Sequence, residues 1–486
     1  MRSFRIVLAC LLVSTSGRAQ SDKVHSIANN IVITHVTVIN PQRASDLHDQ
    51  TVVIEGDKIL QMGASSRVKI PDSAQVVDGR NKFLIPGLWD MHVHVDDPRR
   101  DLPMFIANGV LGIRNMGGVE QNVFQWRAQT ASREVLGPKI VACGPLLDGP
   151  SPSHPEHAIS IHDAQEGRAA VDKLHADGAD FIKIYDGLSR ESYFAIVKEA
   201  KKDGMPFVGH VPLSVRASEA SIAGQKSIEH LTGVLQGDAT NEDEILKETA
   251  DNSVFAEAMK THNYSLIPEH IARVWNSVLD HYSERKARAL YQLFIKNGTW
   301  QVPTLVIERS ITFVDQISKE DDPRLKYMPE NLRESWKPEN GMLTKYRTPA
   351  YIAYRKREYQ ARIREVRLMH SMGVPIMAGT DTSGAYLYPG FSLHDELRLF
   401  VQAGFTPREA LASATVKPAE FFGTLGDEGT IEKGKVASLV LLDADPTADI
   451  NNIDKISTVI YRGKIYDRAA LDAMLKHVEE LATEGK

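Results

Sequence analysis

The stretch LIPGLWDMHVHVDD, residues 84–97, governs how the rest of the chain is interpreted. It sets two histidines, His92 and His94, two positions apart in an apolar run. Side chains two apart on a β-strand point to the same side, so both imidazoles can reach one point in space. A single H-x-H pair is a weak motif, however, and a pair of ordinary core histidines is the alternative.

From Gly87 onward, apolar strand-like runs alternate with longer helical runs, which is typical of repeated βα units around a parallel sheet. Eight candidate strands can be counted, the number that a closed barrel of this type needs. We therefore predict an α/β protein whose main domain, residues 86–427, is a (β/α)8 TIM barrel. The candidate strands are LWDMHVHV, GVLGIRNM, PKIVACGPL, DFIKIYDG, PFVGHVP, KSIEHLT, WQVPTLVI and VPIMAGTD.

Short β-rich runs occur at both ends of the chain, in residues 28–85 and 428–466. We predict that they form one small β-sandwich domain, discontinuous in sequence, followed by a C-terminal helix over residues 467–486. Residues 307–349 are charged, contain Tyr327 and Trp336, and exceed the usual length of a barrel connection. They are interpreted either as a lid over the barrel mouth or as a solvated pair of surface helices.

The N-terminus has a basic start, a short apolar run and small residues, which predicts a signal peptide over residues 1–19 and an exported, periplasmic or secreted, protein. The apolar run is shorter than the roughly 20 residues that span a bilayer, so no permanent membrane anchor is expected. Cleavage would leave Cys143 alone, without a disulfide partner. With 57 Lys and Arg against 63 Asp and Glu, the chain has no basic field for nucleic acid.

Three further candidate ligands fall at the ends of separate predicted strands: His210, His230 and Asp381. Barrel enzymes carry their catalytic groups at this end of the strands. Imidazole and carboxylate ligands suit Zn, Mn, Co or Fe, and the absence of thiolates argues against a purely structural zinc site. Together with the H-x-H pair, they predict a site for one or two divalent cations, with zinc as the expected metal.

Lys183 lies in the fourth predicted strand between two isoleucines and should point into the barrel. A charged lysine is costly to bury. As a neutral amine it can react with carbon dioxide to give a carbamate, an anion able to bridge two cations. The alternative is a salt bridge with a nearby acid such as Asp186.

This set of residues resembles the amidohydrolase superfamily, in particular its imidazolonepropionase-like and prolidase-like (Xaa-Pro dipeptidase-like) branch. The resemblance extends over residues 30–466 and is carried by LIPGLWDMHVH, DFIKIY, GHVP, SIEHLTG and MAGTD. It implies that His92, His94 and Asp381 hold one cation, that His210 and His230 hold the other, and that carbamylated Lys183 bridges them. A mononuclear site of His92, His94, His210 and Asp381 is the alternative.

The resemblance also implies a mechanism, in which a metal-activated hydroxide attacks the carbonyl carbon. Asp381 would accept the proton of the nucleophile and pass it to the leaving amine. Tyr185 lies on the same strand face as Lys183 and would donate to the substrate, although a packing role is equally compatible. Arg114 is interpreted as a partner for a substrate carboxylate, with a structural ion pair as the alternative.

We therefore predict a metal-dependent hydrolase acting on the amide or peptide bond of a small substrate, such as an Xaa-Pro dipeptide or an N-acyl amino acid. Alternatives are a mononuclear cyclic-amide hydrolase or deaminase, a lactonase or esterase, and a non-catalytic scaffold. The expected partners are small molecules or dipeptides. Relatives in this branch form homo-oligomers, but no segment of the sequence identifies an interface.

Overall fold

The computed structural model describes residues 30–250, 253–340 and 344–484. The predicted signal peptide, residues 1–19, lies outside the described residues. Within these ranges, no helix has both the length and the apolar character needed to cross a bilayer.

The strands of the described residues include short parallel strands in the middle of the chain and longer antiparallel strands at its ends. They are β1 (Ile31–Val38), β2 (Leu47–Glu55), β3 (Lys58–Ala64), β4 (Gln75–Asp78), β5 (Phe83–Pro86), β6 (Leu88–Val93), β7 (Val110–Asn115), β8 (Lys139–Ala142), β9 (Leu146–Asp148), β10 (Ala158–Ser160), β11 (Ile182–Ile184), β12 (Phe207–Gly209), β13 (Ser227–Glu229), β14 (Trp300–Val302), β15 (Leu439–Leu442), β16 (Ile456–Tyr461) and β17 (Lys464–Asp467).

The helices of the same ranges follow or connect these strands. They are α1 (Pro98–Ala107), α2 (Glu120–Ala131), α3 (Ala164–Ala176), α4 (Arg190–Lys202), α5 (Ala217–Ile222), α6 (Val234–Asp238), α7 (Glu242–Thr249), α8 (Ser253–Thr261), α9 (Leu266–Asp280), α10 (Glu284–Asn297), α11 (Leu305–Ile317), α12 (Glu330–Trp336), α13 (Pro349–Met372), α14 (Phe391–Gln402), α15 (Pro407–Ser413), α16 (Val416–Phe422) and α17 (Arg468–Glu484).

The helices begin and end where local chemistry allows. Thr348 caps α13 by accepting from the Tyr351 amide, and Gly373, in the left-handed region at φ 85°, ends it. Thr406 and Glu409 form a capping box at the start of α15. Strand β7 is buried along its whole length, as expected for a parallel strand covered on both faces.

The parallel strands fall into a sheet of order β6-β7-β8 and a sheet of order β10-β9-β11-β12-β13-β14. The protein is thus mixed α/β with parallel sheets, as predicted, but the strands do not make one continuous closed ladder. The eighth predicted strand, VPIMAGTD, is irregular: it makes isolated parallel bridges from Ile376 to Gln301 of β14 and from Thr382 to Val93 of β6. The third, PKIVACGPL, is split into β8 and β9 because Gly144 adopts φ 71°.

The two ends of the chain meet in an eight-stranded sheet of order β17-β16-β15-β5-β1-β2-β3, with β4 also paired to β1. Residues 31–86 and 439–467 therefore share hydrogen bonds. The predicted sandwich is not confirmed, because these bonds define one sheet and not two. Strand β5 leads through Gly87 directly into β6, which carries His92.

Two long segments extend beyond the parallel sheets. Helices α6–α10 lie between β13 and β14, an insertion that was not predicted from the sequence. In the other, residues 307–349, the side chains of Tyr327 and Trp336 are buried. Trp336 contacts Tyr386 and Tyr388, with ring centroids 5.3 and 5.9 Å apart. These contacts anchor Trp336 to the chain that follows Asp381.

Candidate metal centre

The side chains predicted as ligands come from the carboxyl ends of neighbouring strands. His92 lies on β6 and Lys183 on β11, while His210 and His230 each follow directly after a strand. Asp381 lies in the irregular segment hydrogen-bonded to β6, and its amide donates to the His92 carbonyl at 2.8 Å. Short parallel strands that end together thus bring distant parts of the chain to one place.

Asp381 lies at the centre of these side chains, which we call the cluster: His92, His94, Lys183, His210, His230 and Asp381. Its Oδ1 lies 3.3 Å from His92 Nε2 and 3.2 Å from His94 Nε2, and its Oδ2 lies 4.0 Å from His230 Nε2. One ligand atom from each of His92, His94 and Asp381 lies within 4.8 Å of the others, which is the spacing of a metal-ligand set. The rings of His210 and His230 meet edge to face at 4.9 Å between centroids.

Three of the histidines are held by a hydrogen bond to Nδ1, on the side of the ring away from the cluster. This bond leaves Nε2 directed to the cluster. Such outer partners fix the tautomer and the ring angle of a metal ligand. The pairs are His92 with Glu229 Oε2 at 2.9 Å, His210 with Asp186 Oδ1 at 2.9 Å and His230 with Thr304 Oγ1 at 2.6 Å.

The Thr304 contact favours one tautomer of His230. The Thr304 hydroxyl donates its single proton to the Pro303 carbonyl at 2.8 Å. A hydroxyl has one proton to give, so both contacts are satisfied together when Thr304 Oγ1 accepts from His230 Nδ1–H. Nε2 of His230 then carries the lone pair that a cation needs.

Lys183 Nζ and His210 Nε2 are both buried and have no hydrogen-bond partner. A buried polar atom without a partner is costly, so a partner for each of these atoms is expected. The predicted alternative for Lys183 is not observed, since Asp186 bonds to His210 instead. Burial lowers the pKa of Lys183, against the opposing fields of Glu229 and Asp381.

The protonation states suit cation binding. Burial, followed by the positive charge of Lys183, lowers the pKa of His92 well below its usual value, so the imidazole is neutral. Burial also lowers the pKa of His230, and the opposing field of Asp381 does not restore it. Burial alone would raise the pKa of Asp381, but His230 and His94 lower it well below the usual range. Neutral imidazoles beside a carboxylate are the forms that divalent cations bind.

The backbone is strained at the same place. His230, Thr304 and Asp381 adopt φ values of 56°, 48° and 62°, in the left-handed region that non-glycine residues avoid. Each follows a parallel strand or its equivalent segment. Strain of this kind persists only where surrounding contacts impose it, and it concentrates at functional sites.

A cavity of about 290 Å³ opens above the cluster. Tyr185 forms part of its wall and stacks on His210 with ring centroids 4.1 Å apart. Burial and then the charge of Asp186 raise the pKa of the Tyr185 hydroxyl above its usual range, so it stays a proton donor. The cavity is lined by His92, His94, Asp96, Leu146, His154, Glu156, His157, Tyr185, His230, Asp381, Ser383 and Gly384.

Arg114 does not line this cavity, which corrects the prediction that it contacts a substrate carboxylate. Its side chain is fully buried beneath the cluster. It donates to the Met91 carbonyl at 2.6 Å, to Ser227 Oγ at 3.0 Å and to both oxygens of Glu229 at 2.8 and 2.9 Å. Arg114 thus holds the carboxylate that orients His92, which is the structural ion pair left open as the alternative.

Glu229, Thr304 and Asp90 also belong to the site, although the sequence did not predict them. Asp90 is fully buried and accepts from the amides of His92 and Thr380 at 3.2 and 3.0 Å, which joins β6 to the segment that carries Asp381. An acid inside an apolar strand, as in LWDMHV and KSIEHLT, was the available signal, because buried carboxylates need partners. Nothing local distinguishes Thr304.

The profile of the amidohydrolase family matches residues 83–466. An imidazolonepropionase from Idiomarina loihiensis is 21% identical over 438 residues, covering 87% of this chain and 94% of that protein. Matches to two dihydroorotases and a second imidazolonepropionase are local and cover 13 to 39% of those proteins.

Solved structures share the fold. A putative prolidase from Bifidobacterium longum has a TM-score of 0.65 at 23% identity, covering 93% of this chain and 99% of its own. Bottromycin amidohydrolase has a TM-score of 0.73 at 22% identity, covering 93% of this chain and 90% of its own. At such identities the likeness supports the fold alone.

Proposed function

Because the chain belongs to the amidohydrolase family, we propose that it hydrolyses the amide or peptide bond of a small substrate, such as an Xaa-Pro dipeptide or an N-acyl amino acid. It is a metal-dependent hydrolase acting on carbon–nitrogen bonds. The observation that carries the narrower proposal is the convergence of three imidazole Nε2 atoms on Asp381, beside the unpartnered Lys183 Nζ.

The residues fit one or two divalent cations, most simply zinc, at the carboxyl ends of the parallel strands. His92, His94 and Asp381 would hold the first, and His210 and His230 the second, with Lys183 as a carbamate between them. The unpartnered atoms of Lys183 and His210 support the second position, because both would gain a partner there. When bound, such cations polarise a carbonyl and lower the pKa of a coordinated water to about 7.

The protein's own groups handle protons and orientation. Asp381 is a carboxylate at neutral pH and would accept a proton from the nucleophilic water and pass it to the leaving amine. The Tyr185 hydroxyl, protonated at neutral pH, would donate to the substrate carbonyl. Glu229, Asp186 and Thr304 hold the histidines in place throughout.

The carbamate is proposed from the state of Lys183. Its lowered pKa favours the neutral amine, which adds carbon dioxide and releases one proton. The resulting anion would remove the cost of an amine buried without a partner. The cavity volume is about 290 Å³. Ligand pockets usually measure about 300–1,000 Å³, so this cavity supports a small substrate. The dipeptide form is proposed by analogy with two structural neighbours, a putative prolidase and an Xaa-Pro dipeptidase.

A mononuclear cyclic-amide hydrolase or deaminase is the second candidate. One observation favours it: the only compact ligand set at the site, among the described residues, is His92, His94 and Asp381. The imidazolonepropionase relative, which aligns over most of both chains, suggests the same chemistry.

The deciding experiment is metal analysis on protein purified with bicarbonate. Wild type is compared with Lys183→Ala and with the control Lys226→Ala, a lysine outside the cluster. Two equivalents in wild type and in the control, falling in Lys183→Ala, support the binuclear hydrolase. One equivalent in all three supports the mononuclear candidate, and none in wild type contradicts both.

Activity is then measured on matched amides: Xaa-Pro dipeptides, N-acyl amino acids and cyclic amides. Hydrolysis of a linear amide supports the main proposal, and turnover of cyclic amides alone supports the second candidate. No turnover by the metal-loaded protein on any amide, ester or lactone supports a scaffold.

We further propose export after removal of residues 1–19, which N-terminal sequencing of the mature protein tests.

A further inference from the structure

Two residues at the end of β13, His230 and Leu231, adopt the left-handed backbone region in succession, at φ 56° and 53°. Consecutive left-handed residues with side chains are unfavourable. The turn is needed because it directs the His230 ring to the cluster and the Leu231 side chain, 1% exposed, into the barrel core. Contacts from outside strand β13 must therefore stabilise this backbone conformation.

Arg362, on α13, donates from Nη1 to the carbonyl oxygen of His230. It is 132 residues away in sequence and does not line the cavity. Its Nη2 donates to Glu358 Oε1 at 2.8 Å, and Glu308 Oε2 lies 3.6 Å from its Nε. The guanidinium is therefore hydrogen-bonded to Glu358 and lies beside Glu308, while its Nη1 bonds the His230 carbonyl.

The surrounding ion cluster strengthens this arrangement. Arg355 donates to Glu308 at 2.7 Å and to Glu358 at 2.5 Å, so each carboxylate is shared by two guanidinium groups. Glu308 belongs to α11, which begins directly after Thr304, the hydroxyl that orients the ring of the same histidine. The backbone and the ring of His230 are thus held from two helices that the ion cluster joins.

We infer that Arg362 is a positioning residue for the metal centre, acting through the His230 carbonyl. It holds the left-handed turn that keeps His230 Nε2 directed at the second cation position. The part of this inference that concerns the cation rests on the proposed function. The part that concerns the backbone does not.

The backbone part is tested on metal-free protein by hydrogen exchange. The amides of His230 and Thr232 donate to Val302 and Glu229 at 2.9 and 3.1 Å, so their exchange reports opening of the turn. Arg362→Met should raise exchange in residues 229–234 at least ten-fold. Arg355→Met is the matched control, because it removes a guanidinium from the same cluster but not the bond to the His230 carbonyl, and it should raise exchange in this segment far less than Arg362→Met does. Arg362→Lys, which keeps a donor, should restore part of the protection.

The metal part is tested by dialysis against a weak chelator, followed by metal analysis. Arg362→Met should lose the second equivalent while Arg355→Met keeps it. Unchanged exchange in Arg362→Met, or an equal rise in Arg355→Met, overturns the inference. If wild-type protein holds no metal, the proposed function fails, and the exchange result still decides the role of Arg362.

Discussion

Arg114 and Glu229 are completely buried and bonded to each other. Removing one partner of a buried pair leaves a charge without compensation, at a cost of about 3–5 kcal/mol. We expect Arg114→Met to lower the free energy of unfolding by that amount, measured by denaturant titration. Because Glu229 also orients His92, metal affinity should fall as well.

A substrate-binding arginine would give a different result in the Arg114→Met variant. A direct contact would predict wild-type stability and a raised KM only for substrates that carry a carboxylate. Comparing KM for a carboxylate-bearing substrate and its amide in Arg114→Met separates the two roles, and a carboxylate-specific KM effect at full stability would contradict the structural one.

Glu396 gives a prediction about pH. Its fully buried carboxyl group accepts from the amides of Leu305 and Val306 at 2.9 and 2.7 Å, and burial raises its pKa from 4.5 to about 8. Between these values the folded state binds more protons than the unfolded state. Its contribution to stability is therefore complete below about pH 4.5 and is lost as the pH rises towards 8.

Glu396→Gln cannot ionise, so its unfolding free energy should fall less steeply over this range than that of wild type. The difference in slope is at most about 1.4 kcal/mol per pH unit. Denaturant titrations at half-unit steps from pH 5 to 8.5 measure it. Parallel profiles for the two proteins would show that Glu396 does not titrate there.

Among the elements, the segment of residues 307–349 supports the rim of the cavity. Trp336, 5% exposed, packs on Tyr386 and Tyr388, in the same loop as the cavity residues Ser383 and Gly384. Trp336→Ala should lower stability by about 3–5 kcal/mol and raise KM, because the loop loses its support. Thermal unfolding and steady-state kinetics measure the two effects.

Trp336→Phe is the control for this segment, since it keeps an aromatic ring and should recover most of both properties. A large loss of stability in Trp336→Ala with an unchanged KM would restrict the segment to a purely structural role.

The elements also show how far sequence reasoning reaches. The H-x-H spacing and the strand-end positions of His210, His230 and Asp381 predicted a cluster that the structure brings together, because a period of two and parallel strands have local signatures. The segment around Ile376 was predicted as a regular strand but makes only isolated bridges. An apolar run has the same sequence pattern whether it forms a regular strand or an irregular segment, so the pattern could not separate the two. Helices α6–α10 were missed as an insertion because helical runs are expected between strands anyway.

The acid in SIEHLTG marks Glu229 as a carboxylate that needs a partner, but the partners of the groups that hold the ligands could not be predicted from the sequence. Arg362, Thr304 and Glu229 act through partners 132, 74 and 137 residues away. Such pairings depend on how helices and strands pack, and composition or periodicity carries no record of them. Arg114 was misassigned for the same reason: its partner Glu229 lies 115 residues away.

For the molecule as a whole, strand β15 joins the sheet of the chain ends to the parallel sheets. Leu439 and Leu441 belong to the core of the eight-stranded sheet, whereas Val440 and Leu442 belong to the large core around the parallel strands. The strand period of two thus places alternate residues in two cores. Each of these four side chains is at most 1% exposed.

The two cores should therefore unfold together. Leu441→Ala and Leu442→Ala remove volume from different cores, and each should cost about 2–5 kcal/mol. If β15 couples the cores, both variants lower the midpoint of one calorimetric transition, and metal loss follows the same curve because β5 leads directly into β6 and His92. If Leu441→Ala instead splits the transition, with metal retained after the first step, the sheet of the chain ends is an independent unit and the metal centre does not depend on it.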